Sequence, residues 1–173
     1  TAFVGAETWY WRVIASDAWG NTRASTSDSI LVVDTQSPAA FSLSTPPPDS
    51  GTRTSPVSFS WTASADTLTG LTGYRLQVST IATFAYPVVD STGTGTNTSA
   101  ALAMNDTYYW RVIAADEVGN TTLAAPGAET VFVENVPPAA FSLAGPSDAH
   151  ETSAATFLLD WANASDTISG LER

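Results

Sequence analysis

The residues of this sequence best suited to chemistry are acids placed in turns. Asp34, Asp66, Asp116 and Glu117 lie beside or between apolar runs, and Glu134 and Asp166 repeat the first two positions 100 residues further on. A carboxylate in a turn can accept hydrogen bonds from its own backbone two residues on. Several converging carboxylates, with backbone carbonyls, instead offer the roughly six to eight oxygens that Ca²⁺ takes. No compact D-x-D-x-D-G loop is present, so the turn role is the simpler of the two. A second set is cationic and aromatic: Arg75, Tyr109 and Arg111, with Tyr10, Arg12 and Trp19 earlier in the chain. Guanidinium planes stack on Tyr rings and can grip a sugar or aromatic ring. The same side chains can also simply shield a sheet.

Other chemistries are absent. The chain has one histidine, His150, in a polar stretch, and the position 100 residues earlier is Ser50, so no Ser-His-Asp or Cys-His arrangement recurs with the sequence. There is no cysteine or lysine, zinc-ligand spacing and phosphate-cradling glycine loops are missing, and the acids do not form a glycosidase-like pair. An enzyme is therefore not expected. Six arginines against 17 acids give a net charge of −11, which repels nucleic acid and anionic lipid and favours divalent cations. No apolar run approaches the roughly 20 residues of a membrane-spanning helix, and no membrane insertion is expected.

A duplicated stretch organises the chain. TWYWRVIASDAWGNT at 8–22 returns as TYYWRVIAADEVGNT at 107–121, a shift of 99 residues. PAAFSL at 38–43 and W-x4-D-T-x2-G-L from Trp61 both return at a shift of 100, so one inserted residue separates the two registers. Such a period fits an array of whole domains rather than a solenoid. It divides the chain into residues 1–35 (the end of one unit), 36–136 (a complete unit) and 137–173 (the start of another). Nothing in the outer parts matches Tyr74–Ser99, so this reading expects a window on a longer polymer, with part of each outer core uncovered.

The elements that must position these residues are short strands. VSFSW (57–61), YRLQV (74–78), YYWRVIA (108–114) and TVFV (130–133) alternate apolar and polar and are rich in β-branched and aromatic residues. TPPPDSG, TLTGLTG, DSTGTGTNTS and DEVGN between them read as turns and loops. With no capped 3.6-residue period, the fold class is all-β, an antiparallel sandwich of immunoglobulin type. Alternation puts Tyr108, Trp110, Val112 and Ala114 on the core side with Phe59, Trp61, Tyr74, Leu76 and Val78, and turns Tyr109, Arg111 and Ile113 outward beside Arg75 and Gln77.

FSWTAS, Y-x-L-x-V and Y-x-W-x-V-x-A followed by D-x2-G-N resemble the fibronectin type III repeats of bacterial secreted and surface proteins. The resemblance implies strand A near 40–43, B at 57–62, C at 73–79, E near 99–103, F at 107–116 and G near 128–133. It also makes Tyr108 the tyrosine-corner residue, a place held by Trp9 in the first copy. In this topology the starts of A and the ends of B and F share a pole. Asp34, Asp66, Asp116 and Glu117 then converge where one unit meets the preceding one, with calcium as the candidate ligand. The expected function is a non-catalytic stalk, fibre or adhesin shaft outside the cell or on its surface. Its partners would be neighbouring repeats, other copies in a fibre, or extracellular glycans. The alternatives are a carbohydrate-binding accessory module of a secreted polysaccharide-degrading enzyme and a self-assembling surface filament subunit. The triplets at Asn97, Asn105, Asn120 and Asn163 are N-glycosylation acceptors in a host that glycosylates secreted chains.

Overall fold

The structure, a computed structural model, describes residues 6–148, 151–153, 156, 158–167 and 170. Every regular element among them is a strand, and all pairings but two parallel ones are antiparallel. At the N-terminal end β1 (Glu7–Trp11) pairs with β4 (Ser29–Val33), and β2 (Ile14–Ser16) with β3 (Thr22–Ala24). The middle of the chain carries β5 (Leu43–Thr45), β6 (Ser50–Thr52), β7 (Val57–Trp61), β8 (Leu71–Ser79), β9 (Val89–Gly93), β10 (Asn97–Ala100), β11 (Asp106–Asp116), β12 (Thr121–Leu123) and β13 (Glu129–Val133). Near the C-terminal end β14 (Leu143–Gly145) pairs with β15 (Asp160–Trp161).

The middle strands form a three-stranded sheet, β10-β7-β5, and a six-stranded sheet, β6-β13-β11-β8-β9 with β12 also on β11. Their apolar faces meet in one core. On β11, Tyr108, Trp110, Val112 and Ala114 are buried while the residues between them are half-buried, the two-residue period of a strand with one dry face. Val57, Phe59 and Trp61 from β7 and Tyr74, Leu76 and Val78 from β8 complete the centre with Val131 and Val133. Phe59 and Trp110 sit with ring centroids 5.2 Å apart, and Trp61 and Tyr74 at 5.5 Å, both tilted as aromatic quadrupoles prefer. The Tyr108 hydroxyl donates to the Ala103 carbonyl at 3.2 Å, the corner bond expected of it.

Two departures from the sequence reading concern the strands. The segment 90–99, read as loop, contains most of β9 and the start of β10, and the edge strand expected near 99–103 begins earlier, at Asn97. Pairing with β8 and β7 overrides a Gly/Ser/Thr composition that reads locally as turn. Close approach is part of this. Gly73 has φ +154° and a Cβ there would lie 2.6 Å from the Gly93 carbonyl oxygen, so β8 and β9 meet where only glycine fits. The first strand is also displaced. It is expected near 40–43, yet pairs from Leu43 onward in β5 and then crosses to the other sheet as β6, parallel to β13.

The ladders repeat with the sequence. Ile14↔Ala24 in β2–β3 corresponds to Ile113↔Leu123 in β11–β12, a shift of 99, while Leu143↔Trp161 in β14–β15 corresponds to Leu43↔Trp61, a shift of 100. Five residues, 124–128, join β12 to β13, whereas four, 25–28, join β3 to β4, which locates the inserted residue in that turn.

Trp110 is fully buried and Trp11, its counterpart 99 residues earlier, is 51% exposed. Trp110→Ala is therefore expected to cost about 3–5 kcal/mol, and Trp11→Ala less than about 1 kcal/mol. Chemical denaturation of the two variants checks this, and equal losses would mean that the core is not where the burial places it.

Candidate functional site

The acids that converge do so because the core fixes the ends of β7 and β11, while hydrogen bonds seat the chain that leaves β4. Asp66 lies in the turn between β7 and β8, where its Oδ1 accepts the backbone N–H groups of Leu68, Thr69 and Gly70 at 3.1, 3.0 and 2.9 Å. Asp116 ends β11. Its Oδ1 accepts from Val118 and Asn120 at 3.0 and 2.8 Å, its Oδ2 accepts the Asn120 amide at 2.7 Å, and Gly119 at φ +94° closes the turn. Asp17 repeats this turn with Trp19 and Asn21. Asp34, just past β4, accepts Gln36 N–H at 2.9 Å on Oδ1 and the Thr69 hydroxyl at 2.7 Å on Oδ2.

One carboxylate oxygen from each of Asp34, Asp66 and Asp116 lies within 4.8 Å of the other two, and Asp116 is buried. Asn120 ties the arrangement to the incoming chain by donating to the Gln36 carbonyl at 3.0 Å and, at 3.5 Å, to that of Asp34. Its amide also donates to Asp116 Oδ2, so it is held by several acceptors at once. Further bonds seat the segment: Ala39 N–H donates to the Ala65 carbonyl at 2.8 Å, and the Ser64 and Thr122 hydroxyls donate to the Ala39 and Pro38 carbonyls. Chemically this is a hydrogen-bonded joint with a focus of negative charge, and its oxygens suit a hard cation.

Of the sequence candidates, Glu117 is not in the converging group. Its backbone N–H donates to the Gly70 carbonyl and its side chain is exposed. Glu134 and Asp166 belong to a second joint, where they line a common cavity of about 590 Å³ with Thr52, Asn135 and Pro137. Ala139 N–H donates to Ser165 carbonyl there at 2.7 Å, as Ala39 does to Ala65 in the first. His150 lies outside the described residues.

The outward row differs from the expectation that arginines stack on tyrosines. Arg75 makes a two-pronged pair with Asp90, Nε to Oδ1 at 2.6 Å and Nη2 to Oδ2 at 2.5 Å, which holds the Asp90 carboxyl below its usual range. Gln77 bridges, donating to Asp90 at 3.1 Å and accepting Arg111 Nε at 2.9 Å. The Arg111 guanidinium lies 4.2 Å over the ring of Phe84, not over Tyr109, which is half-buried beside it on β11. Phe84, buried with φ +55°, comes from the 80–88 segment and was missed because a lone aromatic in a turn-like stretch gives no periodic signal. Tyr10 and Arg12 are exposed, and Trp19 is 91% exposed at the tip of its turn. No family model and no curated protein matches the chain.

The Gly70 N–H, followed by those of Thr69 and Leu68, holds the Asp66 carboxyl below its ordinary value of 3.8. A carboxyl whose folded value is depressed contributes stability that is complete above the unfolded value and is lost as pH falls through the folded one. The melting-temperature difference between wild type and Asp66→Asn is thus expected to hold from neutral pH to about 4 and to close below it. A difference independent of pH down to the acid limit contradicts the charged-acceptor role.

Proposed function

We propose that this chain is a non-catalytic segment of a long extracellular protein built from tandem fibronectin type III-like β-sandwiches, acting as a stalk, fibre or adhesin shaft. One observation carries the reading. The same strand ladders, and the same bond seating the first residues of a unit on its own turn, Ala39 to Ala65 and Ala139 to Ser165, recur 100 residues apart. A chain that repeats both its ladders and the seating of the segment that leads into them is organised as a tandem array.

The mechanism is mechanical. Each sandwich is a rigid body, and TQSPAAF and NVPPAAF restrict bending because proline fixes φ and hydrogen bonds seat the residues around it. The partners are neighbouring repeats. Trp19 and Tyr10, both strongly exposed, favour a second reading in which the shaft also contacts other copies in a filament or an extracellular glycan.

Small-angle scattering of the 173-residue chain tests the shaft. The radius of gyration is expected well above the about 16 Å of a compact body of this length. A value near 16 Å overturns the reading.

A further inference from the structure

A strand at the edge of a sheet leaves a row of backbone N–H and C=O groups unpaired, and such a row is a template for another strand. Among the described residues β9 ends the six-stranded sheet and pairs only with β8, and β10 ends the three-stranded sheet and pairs only with β7. Three residues, 94–96, join them, so the two edges lie on one side of the sandwich in one continuous stretch. Folded proteins usually blunt such edges with lysine, other charges or proline. Here the reverse holds: residues 91–105, 15 in all, are the longest uncharged run in the chain and contain no proline. The adjoining Asp90 is neutralised by Arg75. Ser91, Thr92, Thr94, Thr96, Thr98 and Ser99 have side chains that make no hydrogen bond within the chain, and all but Thr96 are exposed.

Charge decides which partner suits this edge. A net charge of −11 makes two copies of the chain repel over most of their surfaces, and the uncharged edge is where they approach at least cost. The edge is also complementary to itself. An antiparallel strand related by a two-fold axis offers N–H to C=O and C=O to N–H. A hydroxyl both donates and accepts, so identical hydroxyl rows satisfy one another, as identical charged rows cannot. A two-fold contact of this kind presents the same patch from both partners and closes at two copies.

We propose that two copies of this chain pair side by side through β9, strand antiparallel to strand, continuing the six-stranded sheet of one copy into that of the other. Of the two edges β9 is the longer, Val89–Gly93 against Asn97–Ala100, and it belongs to the larger sheet. The contact gives the second reading above, association of copies in a filament, a definite surface. It rests on that reading for its use alone, since the pairing itself needs only the middle sandwich.

Sedimentation velocity of the whole chain over a concentration series, in low and high salt, tests the proposal. Two short strands make a contact of the small, transient class, under about 1,200 Å², so dimers are expected at high protein concentration. Raising ionic strength from about 0.01 to 1 M shortens the screening length from about 30 to 3 Å. The dimer fraction should then rise, because salt relieves the repulsion between copies and leaves an uncharged contact untouched. Ser91→Asp places like charges across the two-fold and should weaken association by about tenfold. Mixing it with Ser91→Lys should restore pairing, which damage to folding would not allow. Trp19→Ser should change nothing. A chain monomeric in both salts, association that weakens with salt, an Asp and Lys mixture that pairs no better than either variant alone, or pairing lost in Trp19→Ser and kept in Ser91→Asp overturns the proposal. Scattering from dilute monomer separates the readings: an elongated monomer that never pairs keeps the shaft and removes this contact, and a compact monomer that pairs in high salt keeps the contact and removes the shaft.

Discussion

Removal of the aromatic faces of β7, β8 and β11 from water is the interaction on which the rest of the molecule depends. With no cysteine in the chain, no covalent staple shares the task, and the stability of the middle segment must come from apolar burial worth about 25 cal/mol per Å². Phe59 against Trp110 and Trp61 against Tyr74 span the space between the two sheets. Because those rings fix the strands, the ends of β7 and β11 are fixed too, and Asp66 and Asp116 are delivered to one place. The acidic joint is a consequence of the core.

The contrast within the chain makes the dependence visible. Trp11 and Trp161 occupy the positions of Trp110 and Trp61 in the repeated sequence, yet both are more than half exposed, as are Leu143 and Leu159. Their ladders form in the same registers, so backbone pairing survives where the second layer is absent among the described residues. Pairing sets the strand geometry, and the opposing sheet makes it dry. The joints add a different kind of order. The first uses hydroxyls and an amide, Thr69, Ser64 and Asn120, to seat the incoming chain, so that the connection is specific without being apolar.

How much of this was legible in the sequence follows from which signals are local. Alternation over 57–61, 74–78, 108–114 and 130–133 marks four strands and their inward faces, because a two-residue period is written in the chain itself. The gathering of Asp34, Asp66 and Asp116 was legible through topology, since the ends of consecutive layers share a pole. What was not legible depends on partners distant in sequence. β9 is held by β8 despite its Ser, Thr and Gly; Phe84 is buried with Arg111 stacked on its ring; and Arg75 chooses Asp90 over an aromatic ring. Glu117 sits one residue past the converging Asp116, and a strand-end step of one residue reverses the side to which it projects.

The central claim is that residues 36–136 form a self-sufficient body whose interior is closed by its own two sheets. The direct measurement is the unfolding of that segment expressed alone, followed by tryptophan fluorescence and by circular dichroism over a denaturant series. The account predicts a single cooperative transition seen identically by both probes, with dispersed amide resonances before it. A segment that is disordered alone, or that melts gradually without a shared midpoint, contradicts it.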